Sequence, residues 1–185
     1  MITVSEAIEI AIAKEGGRLA VNPDRIVETS YGWVIFPNSQ QYVETGDRMS
    51  KLIGSGGVLV LRNSGKAIRF DSSKTLERSL EIYESGYLEH DNWDIVVTTV
   101  FNEREAVDLV LALQATYVVP EEESGIVWKI PQFYSPQRMK ELVRRPPMRL
   151  NIGEIYFISD AVDELKRQRA FDYRLEPNCG YENVP

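Results

Sequence analysis

The stretch YGWVIFPNSQQYVETGD, residues 31–47, decides how the first half of the chain folds. Its run from Trp33 to Phe36 contains only aromatic and β-branched residues, which favour a pleated, buried strand. Gly32 precedes this run and the pair Gly46-Asp47 follows it, and both places have the chemistry of tight turns. The stretch therefore predicts a strand with a firm boundary at either side.

Signals for further strands and two helices surround this stretch. Thr3 and Glu6 have the spacing of a capping box, and apolar residues recur at helical spacing after them. We predict strands at residues 25–30 and 32–37, a hairpin of residues 58–62 and 67–71, and a helix from Ser72 or Ser73 to residue 85. The first half is thus predicted to be α+β, a mainly antiparallel sheet with flanking helices on one face.

The second half begins with a β-branched run at residues 94–101, and Asn102 with Glu105 then marks the start of a helix. The connection that follows is long enough for a parallel crossover, and an antiparallel return stays open as the alternative. A polar break at residues 120–125 leads to a strand at residues 125–130.

The last part of the chain predicts two more helices and one more strand. Ser135-Pro136 begins a helix to Arg144, and Pro146-Pro147 stops it. A strand at residues 154–159 is followed by a helix that Asp160 caps and by an irregular tail. The second half therefore reads as a β-α-β-α-β-α unit.

A polar segment at residues 87–93 separates these two patterns. We predict a first domain at residues 1–88 and an α/β extension of no recognised family at residues 94–185. The alternative is one continuous sheet that both halves share.

The composition predicts a folded cytoplasmic protein without a cofactor or a metal. Hydrophobic residues make up 43% of the chain and charged residues 26%, as in ordinary globular proteins. The single cysteine, Cys179, cannot form an intramolecular disulfide, and no CxxC pair is present to hold zinc. Glu6, Glu9 and Glu15 interrupt the apolar positions at the start, which is atypical of a signal peptide, and no apolar run reaches the ~20 residues of a membrane span.

The net charge of −7 is concentrated in the second half of the chain. Lys and Arg number 10 against 12 Asp and Glu up to His90, and 11 against 16 after it. Because a negative surface repels phosphate groups, we expect no direct binding to nucleic acid or to an anionic membrane. The same charge favours a basic protein partner.

A family resemblance extends over residues 1 to about 88. The order Tyr-Gly-Trp-Val-x-Phe, then Asn38-Ser39, then Tyr-x-Glu-Thr-Gly-Asp from Tyr42, resembles the immunity protein 35 family. The glycine-bearing stretch of residues 52–56, the strand of residues 58–61 and the Tyr83-Glu84 pair are similar to later parts of that family. Two features differ from the family: Gly57 stands where a proline is usual, and residues 70–74 lack a Gly-Thr-Ala-like step.

The resemblance implies a bacterial immunity protein that is not an enzyme. Such a protein binds a cognate toxin, delivered by a secretion system or of the polymorphic kind, and neutralises it, which we expect to occur by covering the active site. The alternative is a housekeeping chaperone-like or peptide-binding module. Catalysis ranks last, because the sole histidine, His90, lies in a polar linker and no acid-base constellation converges on it.

Candidate toxin contacts are aromatic residues that could anchor an interface and carboxylates that could face a basic substrate cleft. Turn chemistry is the stronger interpretation of the Glu-Thr-Gly-Asp sequence, and a solvated loop is the stronger interpretation of the three consecutive glutamates. Arg144, Arg145 and Arg149 either pair with acids of the same chain or form a second contact. The candidates are Tyr31, Tyr42, Glu44, Asp47, Tyr87, Glu121, Glu122, Glu123 and Trp128.

Overall fold

The computed structural model describes residues 1–16 and 18–178. Contacts between Cα atoms divide the chain into two compact units, Met1–Glu81 and a second unit from Ile82 onward, which we call the N-terminal unit and the C-terminal unit. The division falls within a helix, Leu76–Glu84. The tail residue Cys179 lies outside the described residues.

The N-terminal unit is a four-stranded antiparallel sheet with helices and a small additional strand pair. The sheet has the order β2-β3-β5-β6, and β1 pairs with β4. The elements are α1 (Val4–Glu15), β1 (Leu19–Ala20), β2 (Val27–Glu28), β3 (Gly32–Ile35), β4 (Asn38–Ser39), α2 (Gln40–Thr45), β5 (Ser55–Leu61), β6 (Ala67–Asp71) and α3 (Leu76–Glu84).

The core of this unit joins α1 to the middle of the sheet. Ala7 and Ala11 of α1 form one buried cluster with Trp33 and Ile35 of β3 and with Val58 and Val60 of β5. All four residues of β3 are buried, so this strand is covered on both faces. The prediction that the sheet buries one face is therefore too simple for β3, although the α+β class of the unit is confirmed.

The predicted capping box at the start of α1 is present. The Thr3 hydroxyl accepts from the Glu6 backbone N–H at 3.3 Å, and the Thr3 backbone N–H donates to Glu6 Oε2 at 2.7 Å. At the other end of the unit, the N-terminus of α3 is capped by Thr75, which accepts from the Arg78 N–H at 3.3 Å, and not by Ser72 or Ser73.

The capping box predicts a pH-dependent start of α1. The Thr3 backbone N–H and then the Thr3 hydroxyl lower the pKa of Glu6 below its ordinary value. A lowered folded-state pKa stabilises the helix above the unfolded-state pKa, and the effect disappears as the pH falls through the folded-state pKa. Thr3→Ala removes the hydroxyl and keeps the backbone N–H, so in an NMR titration we expect the pKa of the Glu6 carboxyl to rise part of the way toward the ordinary value of about 4.3. Ser5→Ala, which removes an exposed hydroxyl outside the cap, is the control, and an unchanged titration in Thr3→Ala would contradict the assignment.

The C-terminal unit is a five-stranded antiparallel sheet with three helices. Its strand order is β11-β7-β10-β8-β9, and every described pairing is antiparallel. Because β7 and β8 are both antiparallel to β10, which lies between them, β7 and β8 run parallel to each other, and the helical connection after β7 is a crossover between strands that are not neighbours. The elements are β7 (Trp93–Val100), α4 (Glu103–Ala112), β8 (Thr116–Glu123), β9 (Ile126–Phe133), α5 (Pro136–Val143), β10 (Met148–Gly153), α6 (Ile155–Arg167) and β11 (Phe171–Pro177).

All three helices of this unit contribute to a single apolar core. Val110 of α4, Met139 of α5 and Val162 of α6 are fully buried in one cluster with Ile95 of β7 and Leu150 of β10. On β10, buried residues alternate with exposed or half-buried residues, as expected for a strand with one face toward the core.

The predicted β-α-β-α-β-α order is incomplete because the structure contains two further strands, β8 and β11. The predicted polar break at residues 120–125 is the end of β8 and its turn. The predicted irregular tail contains β11, where Phe171, Tyr173 and Leu175 alternate with charged residues in a pattern typical of a strand.

The predicted strand at residues 154–159 is wrong. These residues begin α6, and the strand before them is β10, which ends at Gly153. Asp160 lies inside α6, two residues after Ile158, whose φ of −108° and ψ of 16° are not helical. The error arises because a short apolar run fits a buried strand and a buried helix equally well.

Candidate functional site

The N-terminal unit contains a groove beside α2. Its volume is about 450 Å³, and its lining includes Phe36, Tyr42, Lys51 and Leu52. Ser39 caps α2 by accepting from the Tyr42 N–H at 3.1 Å, which places Tyr42 on this groove. The Lys51 ammonium lies 5.9 Å from the centroid of the Tyr42 ring. The groove therefore combines aromatic surface with positive charge. α2 is not among the helices predicted from the sequence.

A bulge in β5 lies next to Phe36, which lines this groove. Gly57 has a φ of 105°, and the register between β5 and β6 shifts between Ser55 and Val58. A Cβ at position 57 would lie 2.8 Å from the Phe36 ring, so both space and backbone require glycine. Proline fixes φ near −65°, so the proline that is usual in the family at this position could not adopt the conformation of Gly57.

The loop after α2 exposes large apolar side chains next to the groove. Met49 is 93% exposed and Ile53 is 95% exposed, while Leu52 lines the groove and is half exposed. Exposed apolar residues that cluster at a groove are typical of a contact surface. Sequence reasoning did not single out Met49 or Ile53, because only the fold shows that nothing in the unit covers them.

Glu44 and Asp47 are exposed and have separate structural partners. Glu44 accepts from the Gln40 side chain at 2.6 Å within α2. Asp47 Oδ1 accepts from the Met49 backbone N–H at 3.0 Å and so caps the 3-10 turn Arg48–Ser50. The interpretation of Asp47 as turn chemistry is thereby confirmed.

The C-terminal unit presents a long two-stranded ribbon, formed by β8 and β9 and called the ribbon below. Its turn is Ser124-Gly125, with φ values of 55° and 78°. Positive φ at both residues is typical of the two-residue hairpin turns whose twist matches that of the flanking strands. Of β8, only Thr116 pairs with β10, so the ribbon beyond that point has no other strand beside it among the described residues. All residues from 120 to 133 are exposed.

The register of the ribbon sorts its side chains into two faces. Glu121 pairs with Trp128 and Glu123 with Ile126, so these four share one face, which we call the Trp128 face. Glu122 pairs with Val127 on the opposite face, called the Val127 face. The structure thus brings together three of the four predicted contacts of this half, Glu121, Glu123 and Trp128, and places Glu122 on the other side.

An aromatic and cationic cluster supports the base of the ribbon. The Arg138 guanidinium stacks 3.8 Å from the Tyr117 ring centroid and 5.5 Å from that of Tyr134, and the two rings are 4.8 Å apart. Burial raises the pKa of Tyr134. Beside this cluster, Phe133 and Tyr134 line an apolar cavity of about 260 Å³ against α4.

The remaining predicted contacts have internal partners. Tyr87 is half-buried, its ring lies 5.0 Å from the Lys166 ammonium, and it meets Trp93 edge-on at 6.3 Å. Its hydrogen bond raises the pKa of Lys166. Tyr31 is half-buried at the start of β3, at the end away from the groove, and its carbonyl accepts from the Arg62 N–H at 2.8 Å. These tyrosines belong to neither surface described above.

Two of the three predicted arginines pair with acids of the same chain. Arg144 bonds Glu103 at 3.0 Å, and Arg149 bonds Asp94 at 2.5 Å and Glu176 at 2.8 Å. Within residues 1–16 and 18–178, no group of three or more His, Cys, Asp or Glu side chains is arranged to hold a metal ion. In the same part of the chain, every helix is too short or too polar to cross a membrane.

Comparison with protein families finds a match for the part of the chain that contains the groove. Residues 7–96 match Immunity protein 35. The resemblance seen in the sequence is thereby confirmed, and it extends beyond the predicted end at residue 88 into β7. The matched residues form the immunity protein 35 segment. It includes α2, the groove and the loop after α2 that exposes Met49 and Ile53, whereas the ribbon lies outside it.

Neither the curated proteins nor the solved structures contain a significant match to this chain.

Proposed function

We propose that this protein binds one cognate bacterial toxin in the cytoplasm and neutralises it by covering the toxin's active site. The observation that supports the proposal is the match of residues 7–96 to Immunity protein 35, a family whose name denotes protection against a toxin. The groove beside α2 and the exposed side chains of Met49 and Ile53 offer a contact surface within that segment. We include Tyr42, Glu44 and Asp47 among its contacts.

Stable protection requires slow dissociation, and the exposed residues suit that requirement. Affinity in protein complexes comes mainly from a few anchors that lose water on binding, surrounded by a polar rim. Ile53 and Met49 are the most exposed large apolar side chains of the segment, and Tyr42 lines the groove together with Leu52. Their burial by a toxin would provide such anchors.

The experiment that tests the proposal begins with the tagged full-length chain as bait in lysate of the cell that makes it. The gene of a stoichiometric partner is then expressed in an unprotected bacterial host, with and without the chain. We expect growth arrest by the partner alone and normal growth when both are present. In the purified system at low substrate concentration, toxin activity should fall to zero at one equivalent of the chain. If the chain covers the active site, a high substrate concentration should reduce this inhibition.

A second candidate, the chaperone-like or peptide-binding module, is favoured by one observation. The outer edge of β9 carries no further strand among the described residues, and such an edge can accept an extended peptide. Capture of many weakly bound clients, none of them toxic, would support this candidate and contradict the immunity proposal. Fractionation of the producing cell tests the cytoplasmic location.

A further inference from the structure

The ribbon exposes an unusual concentration of large apolar side chains. Ile126 is 55% exposed, Val127 61%, Trp128 53%, Ile130 37% and Phe133 66%, all within eight consecutive residues of β9. Elsewhere in the described C-terminal unit, exposed side chains of this size stand singly, as Phe101 and Phe157 do. Several large apolar side chains exposed along one strand are typical of a surface that another protein covers.

The Trp128 face combines this apolar surface with negative charge. Ile126, Trp128 and Ile130 follow one another along β9, and Glu121 and Glu123 stand opposite Trp128 and Ile126 on β8. Within residues 118–131 the sole cation, Lys129, pairs with Pro120 and so lies on the Val127 face. A partner of the Trp128 face must therefore offer apolar surface beside positive charge.

We propose that the Trp128 face of the ribbon docks against a basic, partly apolar cleft of the toxin and determines which toxin this chain neutralises. The inference rests on the proposed function and adds to it a second contact, outside the immunity protein 35 segment. The ribbon beyond Thr116 is roughly 20 Å long, since a strand rises about 3.4 Å per residue, and this length suits insertion into a cleft. Glu121 and Glu123 occupy the place of an anionic substrate there.

Charge argues against two other occupants of this face. If a second copy of the chain packed its Trp128 face against the first, Glu121 and Glu123 of both copies would come together, and like charges at an interface are costly. An anionic membrane surface would repel the same carboxylates. A basic protein cleft is the occupant that turns both glutamates into favourable contacts.

The test measures binding of the full-length chain to the toxin captured as described under Proposed function. Trp128→Ala should weaken affinity by about 30-fold or more, because central aromatic anchors contribute most to an interface. Phe101→Ala, which truncates an aromatic side chain of similar exposure away from the ribbon, should leave affinity unchanged. Thermal unfolding checks that Trp128→Ala, an exposed position, folds normally.

A matched pair of charge reversals separates the two faces. Glu121→Lys and Glu122→Lys change the same charge at neighbouring exposed positions of β8, on opposite faces. Glu121→Lys should slow association by about tenfold at low salt, whereas Glu122→Lys should have a much smaller effect. Raising the salt concentration should reduce the difference.

Four outcomes would overturn the inference. If Trp128→Ala binds the toxin within twofold of the natural chain, or if the two charge reversals act equally, the Trp128 face is not the contact, while the proposed function stands. If the chain alone is a dimer that Trp128→Ala dissociates, a second copy occupies the face. If no captured partner is toxic, the proposed function fails and this inference fails with it.

Discussion

Replacing Gly32 with alanine is expected to destabilise the N-terminal unit by about 3 kcal/mol or more. A Cβ at position 32 would lie 2.1 Å from the carbonyl oxygen of Val60 and 3.0 Å from its carbonyl carbon. Both atoms belong to the backbone of β5, which pairs with β3 in the middle of the sheet. The added methyl group can be accommodated only if the two strands separate, and the buried cluster that includes Trp33 and Val60 would then be disturbed.

Hydrogen exchange of backbone amides measures this effect strand by strand. In Gly32→Ala we expect peptides from β3 and β5 to lose most of their protection. The control is Gly46→Ala, because Gly46 has a φ of 72° but nothing within 4 Å of an added Cβ. Its cost should be only about 1–2 kcal/mol, from left-handed backbone strain. Equal effects of the two variants would show that space at position 32 is not limiting.

Replacing Asp94 with alanine is expected to destabilise the C-terminal unit by about 3 kcal/mol, because hydrogen bonds to a buried charge are strong. Asp94 on β7 is only 5% exposed and accepts from Arg149 Nε at 2.5 Å, Asn151 Nδ2 at 3.2 Å and Asn178 Nδ2 at 2.8 Å. Arg149 and Asn151 belong to β10, and Asn178 follows β11, so this carboxylate connects three neighbouring strands. Arg149 keeps Glu176 as a partner, which limits the loss.

Urea denaturation with hydrogen exchange on β7, β10 and β11 measures the loss. The matched control is Glu103→Ala, which removes an exposed ion pair with Arg144 at 3.0 Å. Exposed pairs contribute at most about 1 kcal/mol, so this variant should be nearly as stable as the natural chain. A loss for Asp94→Ala no larger than that of Glu103→Ala would contradict the role assigned to the carboxylate.

The contrast between Asp94 and Glu103 shows what local pattern does not reveal. In the sequence both are acids beside apolar runs, and neither was singled out as structural. Burial between three strands makes one of them a central acceptor, while the other stays in water on α4. The value of an ion pair depends on its surroundings, and those are set by elements distant in the chain.

The sequence by itself determined the features that depend on neighbouring residues. The Thr3–Glu6 capping box, the buried run of β3, the hairpin of β5 and β6 and the Asp47 turn all follow from local spacing and turn chemistry. The resemblance that the family comparison confirmed rests on the same local motifs. These features are readable because their hydrogen bonds and periodicities connect residues only a few positions apart.

The tertiary structure decided everything that depends on strands meeting across long separations. It showed that Gly32, which the sequence predicts to be a turn residue, lies against the backbone of β5. It also showed that residues 154–159 belong to α6. It also placed Glu121 and Glu123 on one face with Trp128, because register sets which side chains share a face. Exposure, pairing and close backbone approach are properties of the assembled sheet, so no local pattern contains them.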